Sequence, residues 1–145
     1  MFTDEYFMEQ ALIEARKAFE ADEVPIGAVV VLNDSIIGRG HNLTESLQDV
    51  TAHAEMLAIT AAENYLGAKI LSDATLFVTV EPCVMCAGAS RWSRVKRIVW
   101  GAPEPKVGFT NFSTDILHPK TLVTAGVLQE ECLRLMQEFF EARRN

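Results

Sequence analysis

Two short runs, IGAVVVL (26–32) and TLFVTV (75–80), constrain the fold of this chain more than any other feature. Each is almost continuously apolar and rich in β-branched residues. A strand with one wet face alternates apolar and polar residues; these do not, so both read as strands buried on two faces. Both faces then need cover, and the segments around them supply it. Residues 4–22 carry Phe7, Ala11, Ala15 and Ala18/Phe19 at three-to-four spacing behind an acidic first turn, which predicts a helix closed by Pro25. Asn33-Asp34-Ser35 reads as a turn returning the chain into a second strand, 36–41, antiparallel to the first.

A polar loop is expected at 42–50, then a helix over 52–66 capped by Thr51 and ended by Gly67. A helix over 83–93 follows the strand at 75–80. A fourth strand is expected at 95–100, a long loop at 102–120, a short fifth strand at 122–124 and a last helix at 127–144. On that helix Leu128, Cys132, Leu135/Met136 and Phe139 form one stripe. Strands alternating with helices predict the α/β class, with helices on both faces of one sheet, in a single domain spanning 1–145.

Composition agrees with a packed interior: 49% of residues are hydrophobic and 23% charged. No apolar run approaches the ~18 residues that span a bilayer. The acidic start, MFTDEYFMEQ, is unlike a secretory signal, so a soluble, cytoplasmic protein with no membrane partner is expected. Three cysteines, two of them in one C-x-x-C, argue against a disulfide framework and for a reducing compartment. The net charge of −7 disfavours nucleic acid, but it is unevenly spread. Residues 1–55 hold 3 basic and 11 acidic groups, whereas 56–145 hold 10 and 9.

The strings TAHAEM (51–56) and EPCVMC (81–86) carry the chemistry. Either alone is weak: a histidine at a helix start is usually structural, and a C-x-x-C can be a redox pair. Together they offer His53, Cys83 and Cys86. A structural zinc takes four protein ligands, and a catalytic one takes three and leaves a position for water. Cys132 falls on the apolar stripe of the last helix. His41 and His118 lack ligand spacing, which leaves them structural or substrate-facing. Two thiolates and an imidazole suit zinc. Glu55, two residues past His53, is placed to carry protons for a zinc-activated water.

His53-Ala54-Glu55 followed by Pro82-Cys83-Val84-Met85-Cys86 is the known H-x-E…P-C-x-x-C signature of zinc nucleobase deaminases. With VPIGAVVV (24–31), GHN (40–42), LFVTVEPCVMCAGA (76–89) and GVLQEECLRLMQEFFEARR (126–144), the chain resembles the bacterial tRNA adenosine deaminases of the zinc cytidine/deoxycytidylate deaminase superfamily. The resemblance implies a three-layer α/β/α cytidine-deaminase-like fold with a mixed five-stranded sheet. It implies one Zn2+ per chain, a homodimer, and a tRNA anticodon stem-loop as substrate. Adenosine at the wobble position would become inosine: Glu55 protonates N1, the activated water attacks C6 and ammonia leaves. It further implies substrate contacts from Asn42, Val24, Ala54, Lys106, Arg143 and Arg144. Read without the family, Asn42 is a turn residue, Val24 a core valine, Lys106 a solvated lysine, and Arg143 and Arg144 a favourable cationic helix end. The run Arg91-Trp92-Ser93-Arg94-Val95-Lys96-Arg97 is open between an RNA groove and a covered sheet edge or dimer seam, with Trp92 the candidate for a base stack or a subunit contact. Two other functions stay in view: deamination of a free base or nucleoside such as guanine or cytosine, and a non-catalytic zinc-stabilised RNA-binding module.

Overall fold

The computed structural model describes residues 1–143. Arg144, a sequence candidate for RNA contact, lies outside the described residues. Five strands form one sheet in the order β2-β1-β3-β4-β5. They are β1 (Gly27–Leu32), β2 (Ser35–His41), β3 (Thr75–Val80), β4 (Arg97–Ala102) and β5 (Leu122–Ala125). β1 is antiparallel to both β2 and β3, whereas β3–β4 and β4–β5 are parallel, so the sheet is mixed as expected. The β1–β2 turn places Asn33 and Asp34 at φ 50° and 65°, the paired left-handed conformation of a tight hairpin turn.

Successive residues of the central strands feed two separate cores. Val30, Val78 and Ile98 pack beneath α3 (Ala54–Leu66) and α4 (Val84–Ser93). Val29, Phe77 and Val99 point the other way, beneath α1 (Asp4–Glu20) and the Cys132 side of α5 (Gln129–Arg143). The two apolar runs are therefore buried on both faces. Cys132 is 1% exposed, in keeping with a structural role.

α3 lies unusually close to the sheet. It presents Ala54, Ala58 and Ala62, one every four residues, to β2. A Cβ on Gly40 would sit 2.4 Å from the Ala54 carbonyl oxygen, so only glycine admits the helix there. This contact fixes the start of α3.

Several boundaries differ from expectation. The loop at 42–50 contains a one-turn helix, α2 (Thr44–Leu47). Thr51 does not cap α3, because its N–H and hydroxyl both donate to Asp49 Oδ1 (2.9 and 2.7 Å). The cap position falls to His53 instead. β4 starts at Arg97, since Arg94 ends α4 in a left-handed turn and Val95 still donates to the Ser90 carbonyl. The long loop carries two short 3₁₀ turns, Phe109–Asn111 and Thr114–Ile116. No helix among the described residues is long and apolar enough to cross a membrane.

Candidate functional site

The site is assembled at one end of the strands, from the segments that enter or leave the sheet there. Val24 and Ile26 precede β1, Asn42 and Thr44 follow β2, and Glu81 and Cys83 follow β3. Glu104 and Val107 follow β4, and His53, Ala54 and Glu55 open α3. Together they enclose a cavity of about 270 Å³. That lies just under the roughly 300–1,000 Å³ of ordinary small-molecule sites. A larger cavity of about 630 Å³, lined by Arg91, Trp100, Thr110 and His118, holds no comparable ligand set.

His53 is the N-cap residue of α3, and Cys83 is the N-cap residue of α4. Neither side chain is spent on capping its helix. Both therefore project from positive helix ends, which favours thiolate at Cys83 and at Cys86 one turn on. His53 Nδ1 lies 3.6 Å from Cys83 Sγ and 3.4 Å from Cys86 Sγ, and the three ligand atoms fall within 4.8 Å of one another. A tetrahedral zinc, with Zn–S near 2.3 Å and Zn–N near 2.0–2.1 Å, separates sulfur and nitrogen ligands by about 3.5 Å. The donor set and its spacing fit zinc. Among the described residues this is the one His/Cys/Asp/Glu cluster of that kind.

The hydrogen bond from Cys86 holds the Cys83 thiol down at about 4, and His53 adds to the effect. The same pairing, with burial, pushes Cys86 up. The two sulfurs thus share a proton that a dication would displace. Glu55 is 4% exposed, and burial foremost, then the Cys83 charge, lifts its carboxyl to about 7. A dication beside it acts in the opposite sense. The carboxyl faces the same cavity as His53 and Cys83 and adds no fourth ligand to the cluster.

A model of the cytidine and deoxycytidylate deaminase zinc-binding region matches residues 1–102. The chain belongs to that deaminase family. Within it, a tRNA-specific adenosine deaminase of Bacillus subtilis is 48% identical over 149 residues, covering 99% of this chain and 92% of that one. A chloroplastic tRNA(adenine(34)) deaminase of Arabidopsis thaliana is 43% identical over 97% of the chain, which spans only 12% of the plant protein. A structure from a study of A-to-I editing by tRNA:A34 deaminases superposes with TM-score 0.84 at 45% identity, covering 90% of this chain and 98% of that one. The guanine deaminase of Nitrosomonas europaea superposes with TM-score 0.82 at 29% identity, covering 96% and 85%. The deaminase fold and zinc chemistry expected from the signature both hold.

The other sequence candidates divide. Val24, Asn42 and Ala54 line the cavity. Asn42 is held from two sides: its Nδ2 donates to the Val24 carbonyl (3.4 Å), and its Oδ1 accepts from Thr44 N–H (3.3 Å). Lys106 and Arg143 are absent from it and line a neighbouring cavity with Glu104, Met136 and Phe140. Arg143 pairs with Asp22 at 2.7 Å and lies 3.5 Å over the Phe139 ring. In the basic run, Arg97 forks onto Asp4 (2.8 and 2.9 Å) and Arg91 braces the carbonyls of Asp115 and Leu117. These two charges hold the fold together. Trp92 is 81% exposed. His41 faces Glu14 at 3.2 Å, a structural contact. Sequence reasoning missed Glu81 and Glu104, both in the cavity wall. The signal for Glu81 was an acid wedged between a buried strand and the ligand pair.

Proposed function

We propose that this chain is a hydrolytic zinc deaminase that converts adenosine to inosine at the wobble position of tRNA. The observation that carries the reading is a buried, non-ligating carboxyl, Glu55, in one cavity with a three-ligand His/Cys/Cys set. A purely structural zinc clip has no use for such a group. Near-full-length identity to tRNA-specific adenosine deaminases supports the substrate.

Zinc, when bound by His53, Cys83 and Cys86, supplies the acidity that brings a water's proton within reach of neutral pH. Glu55 takes that proton and delivers it to N1 of the base as the water oxygen joins C6. It then takes the proton of the new C6 hydroxyl and passes it to the amine as the C6–N bond breaks and C6 becomes a carbonyl, so one water is consumed and one ammonia released. A buried carboxyl in the same cavity as the ligand set can serve both directions. Val24 and Ala54 close on the faces and edge of the base, and Asn42, already oriented by two hydrogen bonds, meets the nucleotide. Lys106 and the basic end of α5 meet the RNA backbone outside the cavity. The setting is a cytoplasmic homodimer. The exposed apolar groups Trp92 on α4 and Leu122 and Val123 on β5 support the pairing.

The test is product analysis on a substrate panel: an arginine tRNA anticodon stem-loop, guanine, cytosine and free adenosine. Inosine from the stem-loop is expected, with turnover weakening steeply as salt rises. Glu55→Gln should lower kcat by about 10²–10⁴-fold while zinc stays bound. A zinc-loaded protein that yields no inosine sinks the reading, and sedimentation at the mass of one 16.1 kDa chain sinks the dimer. Deamination of free guanine is the second reading. It is favoured by the guanine deaminase superposition and by the net charge of −7, since a neutral base needs no cationic groove.

A further inference from the structure

Glu81 is a buried acid that the chemistry above does not use. It is 7% exposed and stands two residues before Cys83. Its own N–H is tied to the sheet through the Ala102 carbonyl (2.8 Å). Its carboxylate reaches across to the loop that follows β4 and accepts three hydrogen bonds there. Oε1 takes the N–H of Glu104 (3.2 Å), and Oε2 takes the N–H (3.1 Å) and hydroxyl (2.6 Å) of Thr110. Two further links run alongside. Phe109 N–H donates to the Pro82 carbonyl (2.9 Å), and Cys83 and Gly108 form an isolated antiparallel bridge.

The loop is shaped to receive this carboxylate. A Cβ on Gly108 would lie 2.4 Å from Glu81 Cδ, so a glycine is what lets the backbone close over the acid. Within the loop, Glu104 Oε2 accepts from the N–H groups of Lys106, Val107 and Gly108. Residues 104–110 are therefore folded on themselves by one glutamate and fastened to the start of α4 by the other. Because Cys83 opens α4, the fastening sets Glu104 and Val107, on the cavity rim, in register with the metal ligands.

We propose that Glu81 is a positioning residue that locks the 104–110 loop to the ligand-bearing end of α4 and so presets the rim that receives substrate. The kinetic part rests on the deaminase reading above; the structural part does not. Glu81 touches no reacting atom. Its removal loosens the loop and weakens substrate capture while the metal and the chemical step remain.

Two measurements test this on the zinc-loaded chain. The first is hydrogen exchange of the free protein, which needs no substrate. Glu81→Gln puts an NH₂ group against the Thr110 donors or the Glu104 N–H, and should speed exchange at the amides of Glu104, Thr110 and their neighbours by about tenfold or more, leaving α4 protected. The second is steady-state kinetics on the tRNA stem-loop. KM should rise about tenfold in Glu81→Gln with kcat changed less than about threefold. Thr110→Val removes one donor from the loop side and should shift KM the same way, with Thr110→Ser restoring it. The Thr110 pair keeps the idea exposed if Glu81→Gln folds poorly. Unchanged exchange in the loop, loss of zinc, or a fall in kcat at constant KM each overturns the proposal. If the wild type makes no inosine, the functional reading falls, and the exchange result still decides the role of Glu81.

Discussion

Two glutamates buried near the same cavity use their charge in opposite ways. At Glu55 burial outweighs the hydrogen bonds from its own N–H and from Cys86, and its hold on a proton rises to about 7. Glu23 is fully buried too, and burial alone would raise it. It accepts from the hydroxyl and N–H of Ser46 and from Glu45 N–H (2.7, 2.6 and 3.0 Å), and these bonds outweigh burial and hold it below its usual 4.5. A depressed carboxyl stabilises the fold above its unfolded value and loses that effect as pH falls through its folded one. Thermal unfolding of Glu23→Gln against wild type from pH 7 to pH 3 should show this. The variant melts lower at neutral pH, and the two curves converge as pH drops below 4.5. A gap that stays constant with pH would refute the role given to the ionised carboxylate. Glu23 holds α2, whose Thr44 lines the cavity, as Glu81 holds the opposite loop.

At the scale of elements, the site depends on how closely α3 lies on β2. Gly40→Ala would drive a methyl into the Ala54 carbonyl, pushing outward the helix end that carries His53 and Glu55. The expected cost is about 1–3 kcal/mol of stability, with weaker metal retention, read by thermal melting and by zinc content after dialysis. Full retention of both would show that the helix relaxes freely. β3 was legible to the residue, because nothing but a two-sided strand accommodates TLFVTV. Thr51 has the residue type of a helix cap, yet Asp49 captures its hydroxyl and α3 starts at Ala54 behind His53. A competition between two neighbours for one hydrogen bond has no trace in periodicity.

Across the whole molecule, the zinc-binding candidates and Glu55 were readable because each pair of chemical groups is local: His53 with Glu55, Cys83 with Cys86. Glu81 was not, since its partners lie 23 and 29 residues further on and meet it only once β4 is paired. Lys106 and Arg143 look alike as basic residues near a site. Only the fold shows that they share a separate cavity, and that Arg143 is engaged by Asp22 and Phe139. Metal removal should reveal how the parts depend on one another. Zinc bound by His53, Cys83 and Cys86 would join the starts of α3 and α4, and each apolar core meets that cavity through one of its buried residues, Ala54 or Val80. Stripping the ion with a chelator is expected to lower Tm by about 10 °C or more and to leave far-UV circular dichroism at 25 °C nearly unchanged. Collapse of the spectrum would mean that the cores do not hold without the ion.

The ligands come from two helix starts 30 residues apart, with a central strand between them. On the ribosome, His53 emerges long before either sulfur. The β1–β2 hairpin and α3 can form from what is already outside, but β3 must insert and α4 must wind before three ligands face one another. A growing chain therefore has no complete three-ligand site until α4 has formed, and capture of the ion by all three groups waits on the packing of residues 53–93 rather than on the synthesis of any one ligand.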